Sequence, residues 1–356
     1  MLAVLRGAHG CNKIHLLRRD LCQGLVIFFG GDLIVDARAP AAVHQLQDSK
    51  HQVHLLSERF PDCTIAVVVA SRFEGGFACY DRFLNGTTLT GEPKGYNPSS
   101  YKASEQISSL LQAANIPFRA CAQQGHDQKN GDHPSSADAA NLHPPAPLGA
   151  DNHQGLLPCQ LVGFSKGCVV LNQVLAELGQ YAELQHSCRE GSHASETLEQ
   201  KLRHDQMRFL QAITGVHYLD AGLNAPGAHY TDAAGIASLR LLPQAQQLHI
   251  SFHLTPWAHR RQHVIDERTR SIELLRAAGA ATNTLLLRAH QYKLNVAQWL
   301  CSGTIRSLVN GRAEIKHNIA AGRTPSVVKL SPISQEPITL LQFSVCGDYL
   351  SVITGR

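Results

Sequence analysis

The sequence predicts a doubly wound α/β fold, a mostly parallel sheet with helices on both faces. Three observations predict it. Short, almost wholly apolar runs alternate along the chain with segments whose apolar residues recur at helical spacing. The apolar runs show little in/out alternation, as befits strands buried on both faces. One strand–turn–helix passage also carries Gly163-x-Ser165-x-Gly167 between its strand and its helix.

The elements follow in order. Met1 to Arg19 has no acidic residue and carries Arg6, Lys13, Arg18 and Arg19, the composition of a short mitochondrial presequence. Within it, Lys13 to Leu17 already reads as a first strand. Gly24 to Phe29 is a buried strand ending in Gly30-Gly31-Asp32. Ala41 to Phe60 reads as a helix closed by Pro61, and Thr64 to Ala70 as a central strand. Tyr101 to Ala114 is a further helix. From Arg119 to Gly155 the chain is polar, with almost no large apolar residue, and is expected to be a disordered insertion. The strand Gln160 to Gly163 and its helix to about Leu184 follow, then a second polar segment, Gln185 to Thr197, also expected to be a disordered insertion. Gly215 to Gly222 and Leu248 to Pro256 read as strands, Arg261 to Ala278 as a helix, and Thr284 to Arg288 as the last core strand. One domain over residues 12–310 is expected, with a C-terminal extension, 311–356, in which Val327 to Leu330, Thr339 to Val345 and Tyr349 to Thr354 are strand-like.

Composition narrows the function classes. At 356 residues, 44% hydrophobic and 17% charged, the chain is long and apolar enough for a large core. A net charge of +4 without basic runs argues against a nucleic-acid partner. No apolar stretch approaches the ~20 residues of a membrane span. Ten cysteines without a C-x-x-C pair argue for a reducing compartment and against a zinc ribbon. Twenty histidines lie largely in polar segments and carry no metal-ligand spacing, so neither metal nor cofactor is expected.

The Gly163-x-Ser165-x-Gly167 passage is the pattern of a nucleophile elbow. A serine at the tip of a tight strand-to-helix turn adopts a strained backbone, and its neighbours must be small for the turn to close. The Lys166 N–H at the helix start can hold a developing oxyanion, and Gly31 and Asp32, after the first long strand, can supply further N–H donors. The triad order of an α/β-hydrolase-like fold is serine, acid, histidine, each beyond a strand end; Ser165, Asp220 and His290 follow it. Asp232 and Asp266 do not end strands. His249, His253, His259 and His263 compete with His290: His253 alternates with Phe252 as buried structure would, and His259 and His263 read as a solvated helix face.

With these residues in view, Gly163-Phe164-Ser165-Lys166-Gly167-Cys168-Val169-Val170-Leu171-Asn172-Gln173 resembles the elbow of the chromosome 2 open reading frame 69 family, mitochondrial α/β-hydrolase-like proteins of unknown substrate. Four further stretches are similar: Phe28 to Asp32, Cys79 to Phe83, Tyr218 to Gly222 and His253 to Pro256. The resemblance implies a single α/β-hydrolase-like domain, mitochondrial residence (cytoplasmic otherwise) and a serine hydrolase. The expected function is hydrolysis of an ester, thioester or amide of a small-molecule or lipid-like acyl substrate through an acyl-Ser165 intermediate. The alternative is a non-catalytic hydrolase-fold protein that binds a protein or lipid partner.

Overall fold

The computed structural model describes residues 1–20, 22–34, 44–45, 47–116, 156–190, 202–254, 261–286, 340–346 and 349–355. The insertion expected at 119–155, His259 and His290 lie outside the described residues. The strands are β1 (Leu2–Gly7), β2 (Gly10–Leu17), β3 (Gly24–Phe29), β4 (Cys63–Val68), β5 (Arg72–Glu74), β6 (Phe77–Cys79), β7 (Cys159–Phe164), β8 (Ile213–Leu219), β9 (His249–Leu254), β10 (Ala281–Leu286), β11 (Leu340–Cys346) and β12 (Tyr349–Gly355). The helices are α1 (Ser49–Arg59), α2 (Lys102–Ala113), α3 (Cys168–Arg189), α4 (His204–Ala212), α5 (Ala233–Ser238) and α6 (Gln262–Ala277).

Ten strands form one sheet in the order β1-β2-β4-β3-β7-β8-β9-β10-β12-β11, with β5 and β6 as a separate hairpin. From β4 to β12 every neighbouring pair is parallel, whereas β2 runs against β4. This is the α/β-hydrolase arrangement. The chain leaves β3 for β4 on one side and returns to β7 on the other, so the winding reverses between β3 and β7. Phe29 pairs with Gly163 across that point, which sets the C-terminal ends of the two strands together where doubly wound sheets hold their ligands.

The period-2 geometry of a strand divides the core between the two faces. Leu25, Ile27 and Phe29 join the larger cluster under α2, α3 and α4, while Val26 and Phe28 join Leu55 and Leu56 of α1 on the opposite face. All six residues of β3 are therefore buried. Helix α3 is buried for most of its length and carries three buried polar side chains, Asn172, Gln173 and Glu177. Glu177 accepts the N–H groups of Ala103 (2.9 Å) and Ser104 (2.8 Å) and the Gln173 amide (2.8 Å). It thereby caps α2, whose own N-cap residue, Tyr101, gives no side-chain bond.

Several elements differ from the sequence expectation. The helix expected over Ala41 to Phe60 is interrupted at Asp48, whose carboxylate accepts the Lys50 N–H at 3.0 Å and starts α1. Helix α3 continues through Arg189, past the expected end near Leu184, so the first residues of the segment expected to be disordered, 185–189, are helical instead. Strand β1 went unforeseen because its outward residues, Leu2 and Val4, are exposed and leave no core-like pattern. The tail supplies β11 and β12, an antiparallel hairpin that joins the sheet beside β10.

Buried ionisable groups give the fold a pH dependence. Burial pushes His217 down to about 4 and His229 down to about 3, and holds His253 well below its usual value. The unfolded chain binds these protons near pH 6.5 and the folded chain does not, so stability is lost as pH falls below about 6.5. For His217 alone the loss is on the order of 3 kcal/mol by pH 4. Burial raises Glu177 to about 7, which has the opposite sign and offsets one histidine between pH 4.5 and 7. Thermal unfolding should show a lower Tm at pH 4.5 than at pH 7, with a shallower fall in His229→Asn; a pH-independent Tm would contradict this.

Candidate active site

Strand β7 delivers the chain into a 3-10 turn, Ser165–Gly167, that runs directly into α3. Ser165 stands in the left-handed region at φ 51°, a conformation that costs a non-glycine residue about 1–2 kcal/mol. The neighbouring packing leaves no alternative. A Cβ on Gly163 would stand 2.8 Å from Leu171 Cδ1 and 3.0 Å from Cys168 Cα. A Cβ on Gly167 would lie 2.6 Å from the Gly30 carbonyl oxygen and closer still to that of Phe29. The two glycines thus let the turn press against β3 on one side and its own helix on the other. Ser165 itself is half-buried.

The Gly30-Gly31-Asp32 loop meets this turn. A Cβ on Gly31 would be 2.6 Å from Ser165 Cβ. Tyr80 donates its hydroxyl to the Gly30 carbonyl at 2.8 Å. Because a peptide is planar and trans, that bond also sets the plane of the Gly31 N–H. Asp32 accepts the Ala78 N–H at 2.8 Å, its carbonyl accepts the Gln47 amide at 3.2 Å, and Leu33 N–H donates to Gly76 at 2.7 Å. Burial raises the Asp32 pKa, against the pull of the Ala78 N–H and of Lys166. A small cleft beside the loop is lined by Gly30, Gly31, Asp32, Phe73, Tyr80 and Phe164 among others, and Ser165 is not among its lining residues.

Asp220 follows β8 directly, is 7% exposed and also has a positive φ, 43°. Its N–H donates to the His253 carbonyl at 2.7 Å, fixing the chain where β8 and β9 end. Two residues on, a Cβ at Gly222 would stand 2.6 Å from Ser165 Oγ. The structure therefore brings the Asp220–Gly222 turn against the serine. His253 is buried and neighbours His217 at 6.1 Å between ring centroids. His249 is exposed, and His263 is exposed and bonds the Asn224 carbonyl at 3.0 Å. Among the described residues, no group of three or more His, Cys, Asp or Glu could hold a metal ion.

Lys166, the residue after the serine, is only 2% exposed and forms an ion pair with Glu92. Sequence reasoning missed Glu92, which lies in a polar turn without periodicity. It also missed the α3 polar side chains: Asn172 bonds Tyr218 (2.7 Å) and the Ala228 carbonyl (2.9 Å), and Gln173 bonds Asn97. Polar residues inside an otherwise apolar helix were the available signal.

Residues 93–281, more than half the chain, match the C2orf69 family. The chain belongs to that family. The mitochondrial protein C2orf69 homolog of Danio rerio is 28% identical over 242 residues, 65% of this chain and 58% of that relative's length. Among solved structures, a lipase/esterase from Lactobacillus plantarum is 14% identical, with 87% of this chain and 98% of that chain covered at a TM-score of 0.41. Dienelactone hydrolase from Anabaena variabilis is 9% identical, with 85% and 94% covered at a TM-score of 0.38. For this member of the C2orf69 family, the strand order and its reversal carry the fold assignment.

The two crowded glycines should behave differently. In Gly167→Ala the new carbon meets backbone carbonyls, and chemical denaturation should show a loss on the order of 2 kcal/mol. In Gly222→Ala its one overly close contact is a rotatable hydroxyl, the Ser165 backbone atoms lying at 3.4 Å, and the loss should stay below about 1 kcal/mol. Equal losses would contradict the packing described.

Proposed function

We propose that this protein is a serine hydrolase that cleaves an ester, thioester or amide through an acyl-Ser165 intermediate. The observation that carries the reading is the left-handed Ser165, held at the tip of a strand-to-helix turn by glycines on both sides. Such strain at a polar residue persists only where the surroundings over-determine it, and it clusters at reactive sites.

In the proposed reaction, Ser165 Oγ attacks the substrate carbonyl carbon and its proton passes to a histidine. His290 is assigned that role by chain order, and Asp220 that of orienting the imidazole and balancing its charge. The N–H groups of Lys166 and Gly31, with that of Asp32, receive the oxyanion; each such donor is worth roughly 10²–10³ in rate. Collapse expels the leaving group, which takes the histidine's proton. Water, deprotonated by the same histidine, then attacks the acyl carbon; the bond to Ser165 Oγ breaks, that oxygen takes the proton back from the histidine, and the acid is released. No metal or cofactor enters the scheme.

Leu33, just after the glycine loop, Phe77 on β6 and Leu89 are large apolar residues left exposed, which supports an apolar, lipid-like acyl group as substrate. The name of the Danio rerio relative supports mitochondrial residence.

A fluorophosphonate probe should label the purified protein at a single site, and Ser165→Ala should abolish labelling while leaving Tm within about 2 °C. Asp220→Asn should slow labelling at least tenfold. A folded wild-type protein that stays unlabelled would overturn the reading in favour of a binding protein.

A further inference from the structure

The ion pair between Lys166 and Glu92 joins the elbow to a turn 74 residues away in sequence. Its burial is unusual. The Lys166 side chain is 2% exposed and that of Glu92 19%. An ammonium this far from water is stable only while its partner is present. Dependence runs the other way too: Glu92 Oε2 is buried without a hydrogen bond among the described residues, so the carboxylate leans on Lys166.

The turn that carries Glu92 is closed by its own hydrogen bonds. Thr88 N–H donates to the Glu92 carbonyl at 2.8 Å, Glu92 N–H to Thr88 Oγ1 at 3.0 Å, and Lys94 N–H to Gly86 at 3.0 Å. Gly91 lets it seat on β6: a Cβ there would stand 3.1 Å from Cys79 Cα and closer to the Ala78 carbonyl. Ala78 in turn holds Asp32. One flap, residues 72–94, therefore braces both edges of the serine site, through Ala78 on the glycine loop and through Glu92 on the elbow.

We propose that Glu92 is a positioning residue. Its ion pair latches the flap to the elbow and fixes the peptide that presents the Lys166 N–H to the oxyanion. Glu92 touches no reacting atom; it acts through Lys166. Release of the 86–94 turn would leave the buried Lys166 ammonium without its partner, and the first turn of the elbow would move with it. The catalytic part of the inference rests on the serine-hydrolase reading above, whereas the latch itself does not.

The test uses the full chain as wild type, Glu92→Gln, Lys166→Met and the double variant. Hydrogen exchange by mass spectrometry reads the latch, and fluorophosphonate inactivation, resolved into kinact and KI, reads its effect on Ser165. Glu92→Gln should raise exchange in peptides covering 86–94 and 165–168 about tenfold and leave those of β3 and β8 unchanged. It should lower kinact about tenfold with KI within about twofold. Lys166→Met should match it, and the double variant should be no worse than either, because one interaction is lost only once. Unchanged exchange in Glu92→Gln, a defect carried by KI, or multiplying defects in the double variant would each overturn the proposal. If wild type does not label, the hydrolase reading fails, and the exchange pattern alone decides the latch.

Discussion

Everything near the candidate site depends on one steric constraint, the contact between Gly167 and the carbonyls of Phe29 and Gly30. It fixes how closely α3 can approach the end of β3. Once that approach is set, the chain between Gly163 and Gly167 has too little room for an ordinary turn, and Ser165 takes a left-handed backbone. The cost is small beside the burial of β3, β7 and α3, whose apolar side chains fill both faces of the sheet. The fold can hold a strained serine because so much packed surface surrounds it.

Helix α3 has a second role. A helix with most of its residues buried could be wholly apolar, yet Asn172, Gln173 and Glu177 lie along it and each is hydrogen-bonded. Their partners include the irregular segment Tyr96 to Asn97, the Ala228 carbonyl, the first turn of α2 and Tyr218 of β8. A buried polar group tolerates few arrangements, because an unmade bond inside the protein costs more than a made one gains. These side chains thus fix loops that apolar packing would leave loose, and they do so from the element that begins at Ser165. Flap, glycine loop and elbow are held in one bonded frame.

The central strands, the strand–turn–helix passage through Ser165 and the strand-end position of Asp220 were legible in the sequence. Buried parallel strands must be apolar, and a turn with no space must carry glycine; both demands are local and leave a mark. Glu92 left none, because its partner lies 74 residues away and its own turn has no period. Glu177 was visible as a polar residue in an apolar helix, but nothing local says that it caps α2. Strand β1 was hidden because half its residues face solvent, and the break at Asp48 because a cap and a mid-helix acidic residue look alike until the backbone is seen. His290, placed by chain order, lies outside the described residues.

The central claim is that the crowded turn presents Ser165 to an electrophile with backbone donors already in place. A crystal structure of the phosphonylated protein tests it most directly. The account predicts phosphorus bonded to Ser165 Oγ, a Ser165 φ still near +50°, and the phosphoryl oxygen about 2.7–3.1 Å from the Lys166 and Gly31 nitrogens. A relaxed backbone at Ser165, or a phosphoryl oxygen turned away from both nitrogens, would contradict it.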